Sequence, residues 1–145
     1  MKVRTLVAGL AAGFLLNVLG WLGNQLVLGE LWSKTVATVA PLRERTWVNE
    51  VLSLVPDFIY GVALAWLFAS LTAQAGRRPS TAAKAAFWVW AVGAMPTYLG
   101  VWNSGFVPTG LAVATTLLAL ITFAPAAWLV WKLAPGGTSA VPNAA

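Results

Sequence analysis

Residues 51–73 read VLSLVPDFIYGVALAWLFASLTA, a long apolar run broken by one ionisable side chain, Asp57. As a helix rising ~1.5 Å per residue, such a run reaches roughly 34 Å, enough to cross a ~30 Å hydrocarbon core. Three further runs of the same kind lie at 5–28, 82–102 and 107–131, and almost every charge in the chain falls between them. The pattern predicts an all-α polytopic membrane protein, a four-transmembrane-helix bundle over 1–134. The small-residue stretch 135–145 is expected to be a flexible tail.

Composition agrees. The chain is 59% hydrophobic and 9% charged, far from the balance of a soluble domain. It has no cysteine and no histidine, which removes thiolate chemistry, disulfides, imidazole metal ligands and the commonest general base. No cofactor, metal or enzymatic activity is expected. The net charge of +5 is spread over termini and loops, where membrane proteins keep it to set orientation, so no nucleic-acid partner is expected. The first run continues to Leu28 with no polar segment and cleavage site after it, and is read as a retained span rather than a signal peptide.

Lys2, Arg4, Arg77, Arg78, Lys84 and Lys132 fall on one side of a four-span layout, against Lys34, Arg43 and Arg45 on the other. This bias places both termini in the cytoplasm of an inner or plasma membrane. Most of the nine tryptophans fit an aromatic belt, with Trp32, Trp47 and Trp102 at outer span ends and Trp88, Trp90, Trp128 and Trp131 at inner ones. Ser80 is a candidate cap of the third helix, and Pro108 suits the first turn of the fourth. The long first loop has room for an interfacial helix near Leu42–Glu50.

Asp57 carries the functional question. It lies roughly 9 Å below the outer edge of its span, where a carboxylate costs on the order of 2.5–3.5 kcal/mol. Glu50, Ser53, Asp57 and Tyr60 recur at steps of three, four and three, so they form one polar stripe that turns apolar at Leu64, Leu67 and Leu71. The first span presents Gly9, Gly13, Asn17, Gly20 and Asn24 on one face, with Gln25 adjacent. The third offers Thr97, Tyr98 and Asn103, and the fourth Thr109, Thr115 and Thr116. Bundled, these groups surround an outward-facing polar pocket with Asp57 at its floor and Glu50 at its mouth. The ligand-binding candidates are Asp57, Glu50, Tyr60, Ser53, Asn17, Asn24 and Tyr98.

Two functional expectations follow, beside a bland reading in which Asp57 hydrogen-bonds to Asn17, Asn24 or a threonine and only pins the bundle. In the first, the carboxylate binds or helps to transport a small cationic or amphiphilic ligand. In the second, the chain is a non-catalytic accessory or structural subunit, meeting a second copy or a membrane partner through Gly9, Gly13 and Gly20. Size and span count are those of the small multidrug-resistance transporters. Their essential glutamate lies in the first span, where this chain has Asn17 and Asn24, and no family is assigned.

Overall fold

The computed structural model describes residues 2–38 and 46–135. The described chain is all helical: α1 (Val3–Leu26), α2 (Gly29–Thr38), α3 (Trp47–Ala75), α4 (Pro79–Val89), a π turn (Trp90–Ala94), α5 (Met95–Asn103) and α6 (Thr109–Leu133). Of these, α1, α3 and α6 are each long and apolar enough to cross a membrane. They make this a helical membrane protein.

The third expected span, 82–102, is not one regular helix. Its path from Pro79 to Asn103 is helical throughout but is divided by the π turn, in which the Met95 N–H reaches back five residues to the Trp90 carbonyl. Pro96 supplies the cause. A proline lacks the N–H for the residue four back and its ring crowds that carbonyl, and the wider turn just before it relieves the crowding.

The glycine face of α1 is turned inward. A methyl group on Gly61 would collide with the Gly13 nitrogen and the Gly9 carbonyl oxygen, so α1 and α3 cross in backbone contact. Small residues permit that approach, and in lipid the dispersion gained by close packing is what holds two apolar helices together. Gly13 faces Phe58, and the Asn17 amide donates to the Leu54 carbonyl at 3.2 Å, which sets the antiparallel register of the pair. The face that sequence offered to a second copy is therefore occupied by α3 of the same chain at Gly9 and Gly13.

Helix α1 also packs on α6, and α4 packs on both α3 and α6, closing a ring. The end of the ring near the α3–α4 turn is densely filled. Leu64, Phe68 and Val130 are fully buried there among Ala65, Ala82, Ala85 and Ala126. Gly76 makes the α3–α4 turn at φ 75°, and Gly105 turns the chain between α5 and α6 at φ 79°, both in the left-handed region that favours glycine. Arg77 ties this end together by donating to the carbonyls of Trp131 (2.6 Å) and Lys132 (3.0 Å) in the last turn of α6.

Three local expectations need correction. Arg78, not Ser80, is the N-cap of α4, because Pro79 already occupies the first helical position where its missing N–H costs nothing. Pro108 precedes α6 as an extended N-cap rather than sitting in its first turn. The first loop does hold a short helix, but it is α2 at Gly29–Thr38. Its Thr35 and the preceding Leu28 are buried, and Lys34 pairs with Glu30 at 2.7 Å on the exposed side. Of the segment near Leu42–Glu50, Trp47–Glu50 form the first turn of α3, and residues 42–45 lie outside the described residues, as does the tail beyond Pro135.

Candidate functional site

The half of the ring away from Arg77 is hollow. There α1, α3, α6 and the π turn with α5 enclose a cavity of about 350 Å³. The seven side chains put forward from the sequence all line it. Asn17 and Asn24 come from α1; Glu50, Ser53, Asp57 and Tyr60 from α3; and Tyr98 from α5. Their convergence follows from spacing, since the α3 stripe stays on one face while the α1–α3 register sets Asn17 beside Leu54.

Asp57 is half-buried, on the wall that α3 turns toward Gly20. A methyl on Gly20 would stand 4.0 Å from the Asp57 Oδ2, so the glycine keeps space open in front of the carboxylate. Among the described residues, none donates a hydrogen bond to this carboxylate and none forms an ion pair with it.

The pinning partners anticipated for Asp57 are engaged elsewhere. Asn17 gives its amide hydrogens to the carbonyls of Gly13 (3.1 Å) and Leu54 (3.2 Å). Asn24 donates to the Gly20 carbonyl at 2.8 Å and accepts the Trp32 indole N–H at 2.9 Å, which anchors α2 to α1. Thr115 lines the cavity, but its hydroxyl lies 2.8 Å from the Leu111 carbonyl and 3.0 Å from that of Ala112, both within its own helix. Hydroxyl groups back-bonded in this way satisfy themselves without reaching a neighbour.

The remaining polar groups sort by depth. Glu50 and Ser53 are exposed at the rim, and the Ser53 hydroxyl donates to the Glu50 carbonyl at 2.7 Å. Arg43 and Arg45, the cations nearest in sequence, lie outside the described residues. Tyr60 lies deeper, its ring 6.2 Å from that of Phe123 and its hydroxyl 3.4 Å from the Thr97 hydroxyl. Thr97 and Asn103 do not line the cavity. Thr109 accepts the Trp102 indole N–H at 3.1 Å, and Thr116 bonds to the Ala112 carbonyl at 2.7 Å.

Sequence reasoning named Tyr60 and Tyr98 but missed the rest of the aromatic wall. Trp21 and Phe123 line the cavity with Tyr60 and Tyr98. Trp21 was findable, since it stands four residues from Asn17 on the same helical face. Phe123 was not, because an apolar residue in an apolar span carries no signal of which neighbour it faces.

The chemistry of the wall is one-sided. It combines two carboxylates, Asp57 inside and Glu50 at the rim, with carbonyl and hydroxyl oxygens, the Gln25 amide and four aromatic rings, while Asn17 spends both amide hydrogens on backbone carbonyls and Asn24 spends one. Among the described residues no group of three or more acidic side chains gathers to hold a metal ion. Compared with known protein families, with curated proteins and with solved structures, the chain matches none.

Proposed function

We propose that this protein is a four-span membrane protein, with the Pro79–Asn103 path as its third crossing and both termini cytoplasmic, and that its cavity binds a monovalent organic cation. The observation that carries the reading is the Asp57 carboxylate, half-buried beside open space with no described hydrogen-bond donor, in a cavity walled by four aromatic rings. A carboxylate in a low-dielectric cleft attracts positive charge, and ring faces hold an alkylated ammonium that is too poorly hydrated to prefer water. Of the two carboxylates that line the cavity, Glu50 is exposed at the rim and Asp57 is half-buried, and one inner carboxylate fits one positive charge better than two. The apolar remainder of the wall, including Leu16 and Leu118, suits a hydrocarbon portion, so the ligand class is an amphiphilic or aromatic amine. The orientation rests on six basic residues at one end of the layout against three at the other.

Thermal denaturation in mild detergent tests the binding reading. Tetraalkylammonium and benzylic amines are expected to raise the melting temperature of the wild type by several degrees and leave Asp57→Asn unmoved. A carboxylate of matching shape should stabilise neither. Equal stabilisation of both proteins by the amines would remove Asp57 from the site. The accessory-subunit reading draws no support from the glycine face, because Gly9 and Gly13 are spent on α3.

A further inference from the structure

The opposite end of the molecule carries a second arrangement of charge and shape. The acidic residues Glu30, Glu44, Glu50 and Asp57 all fall in sequence between the end of α1 and the first half of α3. At the end formed by the α3–α4 turn and the last turn of α6, the described residues include Arg77, Arg78 and Lys132 and no acidic side chain. Arg77 is committed to the α6 carbonyls, whereas Arg78 and Lys132 are exposed. The Lys132 Nζ sits 4.3 Å from the centre of the Trp131 ring and 5.7 Å from that of Trp128.

Those two tryptophans flank an apolar groove of about 260 Å³ between α4 and α6. It starts at Pro79, next to Arg78, and follows α4 as far as Phe87, roughly 12 Å at the rise of a helix. Small side chains shape it, with Ala82, Ala86 and Ala127 as its buried floor and Ala83 and Ala124 exposed along its edges. Apolar along its length, the slot suits an extended alkyl chain.

We propose that this groove holds one acyl chain of an anionic phospholipid, with the phosphate at Lys132 and Arg78. Apolar length, a tryptophan pair at the rim and two exposed cations above it match the three zones of such a lipid. The groove and the Asp57 cavity share one lining residue, Phe123.

Native mass spectrometry of the detergent-solubilised protein tests it, with chain-matched phosphatidylglycerol and phosphatidylcholine added in equal amounts. The wild type is expected to retain one phosphatidylglycerol with about tenfold preference, about 1.4 kcal/mol. Lys132→Gln should reduce that retention several-fold. Ala124→Trp, which fills the slot without changing any charge, should do the same, and Ala83→Leu serves if Ala124→Trp does not fold. Equal retention of the two lipids by the wild type would overturn the site. So would an undiminished preference in the folded slot-filling variant, since general attraction of lipid to a basic end would then suffice. Release of a stoichiometric protein by the slot-filling variant, without any lipid preference, would assign the groove to a protein partner instead.

Discussion

At the residue scale, most of what this chain does with glycine, asparagine and aspartate is settled by what each can reach. Gly61 is the extreme case, because a methyl there meets the backbone of Gly9 and Gly13, which cannot step aside as a side chain would. Gly61→Ala is expected to cost about 3 kcal/mol or more of stability, the upper part of the overpacking range. Gly100 has nothing within 4 Å of such a methyl, so Gly100→Ala should be neutral or slightly stabilising. Melting curves of the two variants side by side check the pair, and equal melting temperatures would refute the close crossing. The spacing of Gly9 and Gly13 made a contact face legible in the sequence. Its partner was not legible, because a lone Gly61 more than forty residues away carries no mark of which helix it will meet.

At the element scale, the π turn decides how one wall of the cavity is built. It brings Gly93 against the Tyr60 ring, where a methyl group would come within 2.8 Å of Cε1. That neighbour is a side chain and can move, so Gly93→Ala is expected to keep the fold and displace Tyr60. Amine-induced stabilisation should fall several-fold while the ligand-free melting temperature shifts by less than about 1 kcal/mol equivalent. A variant that binds amines as the wild type does would detach Tyr60 from the site. Long apolar runs were readable as helices because length and hydropathy are summed over many residues. The π turn was not, since inserting one residue into a helical register leaves composition and period almost unchanged, and Pro96 alone allows a kink, a break or plain tolerance. Helix α2 escaped for a related reason. Its ten residues bury only a narrow side, and its anchor, the Trp32–Asn24 hydrogen bond, joins positions that sequence assigned to a belt and to a pocket.

At the scale of the whole molecule, one half is packed and the other is open. Phe68, Leu64 and Val130 fill the half that carries Arg77, and the polar stripe of α3 faces the cavity in the other. The stripe itself displayed this division in the sequence, since its polar residues stop at Tyr60 and leucines follow. What the sequence could not reveal is that Asn17 and Asn24 turn their amides to backbone carbonyls, which leaves the Asp57 carboxylate without a hydrogen-bond donor among the described residues. The absence of native cysteine makes the topology directly measurable. Ser104→Cys is expected to react with a membrane-impermeant maleimide from the outside of intact cells, and Ser80→Cys only after the membrane is opened. Amine binding, however, rests on Asp57. The most direct measurement is a calorimetric titration of benzyltrimethylammonium into purified wild type and Asp57→Asn at several pH values. This cation keeps its charge at every pH, so any gain in affinity as pH rises belongs to the protein. One site is predicted, tightening as the carboxylate ionises, with at least tenfold weaker and pH-independent binding in the variant, a loss of about 1.4 kcal/mol or more. Equal affinity in both proteins, or no heat in either, would contradict the account.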